Sequence, residues 1–206
     1  LNGDSDHAWG EFLVTKGIVP TEEFQHANDY FYEQYKQGGL DIYEYIAFVA
    51  KPLQSQTTEQ LDALRQEYLQ DWVQPMMLPK AAELLAKHRA QGDFLLIITA
   101  TNGFVTRPIA EKLDVDDILA TELEQIDGRF TGNIAGTPCF QGGKVSRLNQ
   151  WLEENNEHSL KGSYFYSDSF NDLPLLEVVD IPIAVDADET LSAAAKEKGW
   201  QHISLR

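Results

Sequence analysis

At 206 residues, with 43% hydrophobic and 11% aromatic side chains, the chain suits one α/β domain carrying a modest insertion. A net charge of −17, from 33 acidic and 16 basic residues, argues against nucleic acid and anionic membranes as partners. No run reaches the roughly 18 apolar residues of a membrane span. The opening Leu1-Asn-Gly-Asp4-Ser-Asp6 lacks the parts of a signal peptide, and the lone Cys139 cannot form an internal disulfide, so a cytoplasmic location is expected.

From Trp9 to about Pro75 the pattern is helical and rich in aromatics. Thr21 is placed to cap a helix over Glu22–Tyr35, which Gly38-Gly39 ends. Asp41 with Glu44 forms one capping box, and Thr57 with Gln60 forms another that opens Glu59–Asp71. No segment there alternates like a strand. From Met76 onward short apolar runs alternate with helical stretches, as in repeated β-α units. Phe94–Ala100 reads as a buried strand, with a helix after it over Phe104–Leu113. Ile118–Leu123 and Phe130–Ile134 flank Asp127-Gly128, a hairpin signal. Lys144–Glu154 is helical, Tyr164–Ser167 a strand, Asp172–Val178 a helix and Ile181–Val185 a strand. A helix over Glu189–Lys198 and a strand over Gln201–Ser204 close the chain.

Three places carry chemistry. In Tyr164-Phe-Tyr-Ser-Asp168-Ser-Phe-Asn171-Asp172-Leu-Pro174 a strand ends in an acidic loop and a helix starts on Asp172. Ligands of α/β sheets sit outside the carboxyl ends of strands, where Asp168 falls, and two carboxylates with an amide make an oxygen-rich site suited to Mg²⁺. Ile97-Ile98-Thr99-Ala100-Thr101 places a hydroxyl and a turn at another strand end, able to hold a phosphate oxygen. Lys144 follows Gln141-Gly-Gly143 at a helix start. This is no P-loop, since position 138 is Pro and Val145 stands where Ser or Thr belongs. Taken singly, each has a plainer reading: a helix cap, a turn residue, a solvated lysine.

As an ordered set, strand-end Thr99, then Lys144, then the Asp168…Asn171-Asp172 loop, they resemble the haloacid dehalogenase (HAD) superfamily. More narrowly they look like the subclass that includes phosphoserine phosphatases. The likeness covers almost the whole chain. It implies a Rossmann-like parallel sheet, the core at residues 1–8 and 76–206, with an inserted all-helical cap at residues 9–75. It implies Mg²⁺-dependent hydrolysis of a small phosphorylated metabolite through an aspartyl-phosphate. Asp168 matches the metal-ligating carboxylate, and Asn171 and Asp172 the residues that organise the metal's water and the lysine. Thr99 and Ala100 match the phosphate-binding turn. Lys144 matches the cation that neutralises nucleophile and phosphoryl oxygens, supplying locally the positive charge the whole chain lacks.

The family's first motif, Asp-x-Asp-x-Thr on the central strand, does not occur in these 206 residues. Its first Asp is the nucleophile and its second the general acid and base. Asp4-Ser-Asp6-His7 is the nearest string, but no strand precedes it. Asp4 instead fits the acidic residue a few positions after that motif, so the nucleophile is expected upstream of Leu1, on a strand between Phe94–Thr99 and Tyr164–Ser167. Phosphoserine phosphatases set a Glu against the substrate amine where Asp4 falls, and use a cap Arg for the carboxylate. The corresponding stretch Asp41–Pro52 has only Lys51, which argues against phosphoserine and for a cationic or neutral head. Cap aromatics are expected mostly in the cap's own core, with some lining a pocket. The histidines show no metal-ligand spacing; His7 is close enough to the site to touch substrate. The competing reading is a noncatalytic HAD-fold binding or scaffold protein. A Rossmann oxidoreductase is disfavoured, as no Gly-x-Gly-x-x-Gly follows a strand. Oligomeric state is not legible.

Overall fold

Five helical segments come first, each started or stopped by local chemistry. The computed structural model describes all 206 residues. Helix α1 (Ser5–Thr15) is capped by Asp4, whose side chain accepts from the backbone N–H groups of Asp6 and His7. Helix α2 (Thr21–Gln37) begins one residue earlier than expected: Thr21 lies inside it, Pro20 is the N-cap, and no side chain caps it. Gly38 ends α2 in the left-handed region at φ 75°. Helix α3 (Ile42–Gln54) takes its cap from Asp41, which bonds the N–H groups of Tyr43 and Glu44. Glu44 does not reach back, so only half the expected box forms. The Thr57–Gln60 box is complete and opens α4 (Thr58–Tyr68). That helix widens into a π-turn over Leu69–Val73 and ends in the short α5 (Gln74–Met76).

Beyond Met76 come the β-α units. Helix α6 (Pro79–Gln91), for which the sequence carries no sharp start or stop signal, precedes β1 (Leu96–Asn102). Strand β1 sits two residues later than expected, leaving Phe94 exposed outside it. Helix α7 (Gly103–Leu113) follows, its cap bond made by Asn102. The expected strand Ile118–Leu123 is in fact two. Strand β2 (Asp117–Thr121) pairs in parallel with β1, Ile97 opposite Ile118, whereas β3 (Leu123–Ile126) turns at Asp127-Gly128 and pairs antiparallel with β4 (Arg129–Ile134). The turn residues both have positive φ, 50° and 74°, as a two-residue hairpin needs. Helix α8 (Gly142–Glu154) leads to β5 (Tyr164–Ser167). A single 3₁₀ turn over Phe170–Asp172 and the short α9 (Leu173–Leu176) stand where a longer helix was expected. Strands β6 (Ile181–Val185) and β7 (Gln201–Ile203), with α10 (Glu189–Lys198) between them, extend the β5 sheet in parallel order β5-β6-β7.

The result is an α/β core with a helical cap, its parallel strands in two pieces, β1-β2 and β5-β6-β7. Neither β1 nor β5 pairs with the other, and residues of both line one cavity of about 860 Å³. The helical region is held by a shared aromatic core: Trp9, Phe12 and Tyr68 are at most 1% exposed, and their rings meet within 5.1–5.5 Å of one another. That cluster continues into Val105 and Ile109 of α7, so the cap helices are anchored on the core rather than set apart from it. The Asn2 N–H donates to the Met76 carbonyl at 2.8 Å, bringing the two ends of the helical region side by side.

Candidate active site

The strand ends of β1 and β5 open into the same cavity, together with the start of α8 and the cap residues Tyr32, Tyr35 and Tyr45. Lys144 is 5% exposed and Asp172 is 7% exposed; their ion pair, Nζ to Oδ1, measures 2.5 Å. The other carboxylate oxygen accepts from Ser167 Oγ at 2.7 Å. A buried pair with both ends of the carboxylate satisfied holds the lysine in one place. Two features fix the turn before Lys144. Gln141 adopts φ 46° and donates its side-chain amide to Asn171 Oδ1 at 3.0 Å. Gly143 packs so closely that a Cβ there would lie 2.1 Å from the Pro138 carbonyl oxygen.

Asp168 lies at the mouth of β5, exposed to the cavity and bonded by no other side chain. Surrounding protein mass, then the charges of Asp172 and Asp4, push its carboxyl pKa upward. That is a place where a cation is welcome. No group of three or more His, Cys, Asp or Glu is assembled for a metal, so the chain offers one free carboxylate there. Such a donor set fits Mg²⁺, which is commonly held through one or two carboxylates with substrate oxygens and water.

Thr99 and Ala100 line the cavity at the end of β1, and Thr99 Oγ1 accepts from the Thr101 N–H at 3.2 Å. Asn171 faces the cap: its Nδ2 donates to the Tyr35 carbonyl at 3.0 Å, beside a Tyr35 hydroxyl that donates to Ser169 Oγ at 3.2 Å. Asp4 caps α1 through Oδ1 alone, at 2.8 Å and 3.0 Å, leaving Oδ2 unbonded at the cavity wall. His7 also lines the cavity, stacked on Tyr32 with ring centroids 4.5 Å apart. The structure thus brings all seven residues singled out from the sequence to one cavity or its immediate rim. It adds Ser167, Gln141, Asn102 and Asp6. Ser167 lay in the strand-end string and could have been read there. The others act through side-chain hydrogen bonds that no local pattern announces.

Residues 1–177 match the model of the haloacid dehalogenase-like hydrolases. The chain belongs to that family. A histidinol-phosphatase of Neisseria meningitidis is 41% identical over the full chain and 94% of its own length. A phosphoserine phosphatase of Mycobacterium tuberculosis is 30% identical over 72% of this chain, which spans only 48% of that protein. In structure, a Bordetella pertussis protein of unknown function superposes with a TM-score of 0.91 at 40% identity, covering 98% of this chain and 92% of its own. A substrate-bound phosphoserine phosphatase shares the fold at TM-score 0.70 and 14% identity, covering 100% of this chain and 87% of its own. This HAD protein is an enzyme of the family's phosphatase kind. No helix in it is long and apolar enough to cross a membrane.

Proposed function

We propose that this HAD hydrolase is a Mg²⁺-dependent phosphomonoesterase acting on a small phosphorylated metabolite. The observation that carries the reading is the buried Lys144–Asp172–Ser167 array, placed at the same strand ends as Thr99 and the free carboxylate of Asp168. In this arrangement Lys144 Nζ faces the phosphoryl oxygens, held by Asp172. Thr99 and the backbone at Ala100 take a further phosphate oxygen. Asp168 is the carboxylate for the metal, with Asn171 and Asp172 orienting the groups behind it. Bound Mg²⁺ would neutralise charge on the phosphoryl group.

The nucleophile of the aspartyl-phosphate route belongs on a strand between β1 and β5. One observation supports that placement: β1 pairs only with β2 and β5 only with β6, and buried strand edges left unpaired are costly. Residues 1–8 and 76–206 would then form the core, and residues 9–75 the cap that closes over the substrate.

Asp4 Oδ2 and the absence of an arginine within Asp41–Pro52 favour a cationic head over a carboxylate. The Neisseria relative's name points to histidinol phosphate, an ester with a primary ammonium and an imidazole. The test is phosphate release by the full-length protein from a panel of phosphorylated metabolites, with and without Mg²⁺. Histidinol phosphate is expected to lead, with activity abolished by a chelator. A clear preference for phosphoserine would sink the head-group reading, and no release from any ester would sink the phosphatase reading.

A further inference from the structure

Two chains of hydrogen bonds run from the C-terminal end of cap helix α2 to the buried lysine by separate routes. The first passes through Asn171, which is 3% exposed. Its Nδ2 donates to the Tyr35 carbonyl at 3.0 Å, and its Oδ1 accepts from Gln141 Nε2 at 3.0 Å. Gln141 is the N-cap of α8, and its carbonyl accepts the Lys144 N–H at 3.0 Å. The second route starts at the Tyr35 hydroxyl, which donates to Ser169 Oγ at 3.2 Å. The Ser169 N–H donates to Ser167 Oγ at 3.1 Å, and that hydroxyl donates to Asp172, the partner of Lys144 Nζ. One route holds the backbone that carries Lys144, and the other holds the carboxylate that grips its ammonium. Tyr35 stands at the head of both.

Gln141 also holds an unfavourable backbone. The Gly143 N–H donates to the Phe140 carbonyl at 2.8 Å, which makes Gln141 the first central residue of a turn. It lies at φ 46° and ψ −123°, where glycine is the favoured residue, yet the glycines stand at 142 and 143 instead. Strain of this kind persists only where the surroundings hold it. Here the holding contact is the side-chain bond to Asn171, which a glycine could not make. The end of α2 is docked closely on the same loop. A Cβ at Gly38 would lie 2.9 Å from the Phe170 ring, and the Tyr35 and Phe140 ring centroids are 6.1 Å apart.

We propose that Tyr35 and Gln141 are positioning residues of this enzyme, clamping Asn171 from the cap side and the core side so that Lys144 is aimed while the end of α2 is docked. This rests on the phosphatase reading above and adds that the cap sets the lysine as well as covering the substrate. Both residues act through Asn171 and Ser169 rather than on the reacting atoms. With either bond chain cut, the turn at Gln141 or the grip on Asp172 relaxes, and Lys144 moves relative to the phosphoryl oxygens. Turnover then slows more than binding weakens, because Thr99 and Ala100 stand on a separate element, β1.

The experiment measures kcat, KM and the urea midpoint of the full-length protein with Mg²⁺ and p-nitrophenyl phosphate. Gln141→Gly should lower kcat roughly tenfold or more with KM within about twofold. Its urea midpoint should not fall, since relief of the turn offsets the lost bond. Tyr35→Phe keeps the ring on Phe140 and removes only the hydroxyl, so a smaller loss in kcat is expected, and this variant keeps the test alive if Gln141→Gly folds poorly. The double variant should lose less than the product of the two single losses, as residues acting on one lysine do. Unchanged kcat in both single variants would overturn the proposal while the phosphatase reading stands. So would a kcat that falls only in step with the urea midpoint, which marks a plain strut. If the wild type releases phosphate from no ester, both readings fall together.

Discussion

The two walls of the cavity are built on opposite principles. At the strand ends, Lys144 and Ser167 between them satisfy both oxygens of the Asp172 carboxylate and hold a fixed charge array. On the cap side, Asp6 is buried, accepts from Asn102 and is pushed toward its neutral form by its surroundings, while Asn28 Oδ1 is buried without a donor. The first wall holds its charges in place by pairing them, and the second holds a carboxyl that burial keeps close to its neutral form. The difference teaches that charge fixed by mutual pairing is built at the strand ends, whereas the buried polar groups of α1 and α2 are set by packing.

Breaking the satisfied wall should have the largest effect. Lys144→Met leaves the Asp172 carboxylate buried without its partner, which should lower unfolding free energy by about 3–5 kcal/mol in urea titrations and remove activity. An unchanged denaturation midpoint would mean the pair is not closed in solution. The unsatisfied wall should respond with the opposite sign. With Asp6 raised from 3.8 to about 8, the unfolded chain releases its proton well before the folded one. The contribution of Asp6 to stability therefore falls as pH rises between those values and is constant below and above them. Asp6→Asn should remove that slope, stabilising the protein by on the order of a few kcal/mol near pH 8 and by nothing near pH 4. Melting curves at the two pH values check this, and an equal effect at both would contradict the burial of Asp6.

The contrast also explains what could be read from the sequence. Thr99, Lys144 and Asp168 were legible because each sits at a strand or helix terminus, and termini are written in short local patterns. Strands β5 and β6 and helix α10 likewise matched their apolar runs residue for residue. The Ile118–Leu123 run reads as one strand because apolar continuity does not reveal that its two halves pair with different partners, β1 and β4. Thr21 looked like a cap, yet Pro20 already supplies the extended residue before the first turn. Asp6 and Asn28 were illegible for a deeper reason. They lie 22 positions apart on different helices, and their character comes from burial and from Gly10, none of which has a local pattern.

A smaller effect sharpens the strand-end side. Gly143→Ala sets a Cβ against the Pro138 carbonyl oxygen at 2.1 Å, so the turn must shift and carry Lys144 with it. An expected loss of about 1–3 kcal/mol, measured by thermal melting, should accompany slowed turnover. Full activity would show that the turn relaxes without moving the lysine.

The most direct test of the central claim is the Asp168→Asn variant of the full-length protein, assayed for Mg²⁺-dependent phosphate release and for thermal unfolding in parallel. Asp168 carries the free carboxylate, ringed by Asp172 and Asp4. Turnover should fall by orders of magnitude, on the order of 10³ or more. Its melting temperature should hold or rise slightly, since one of several like charges is removed. Wild-type turnover in Asp168→Asn would contradict a phosphatase site at these strand ends.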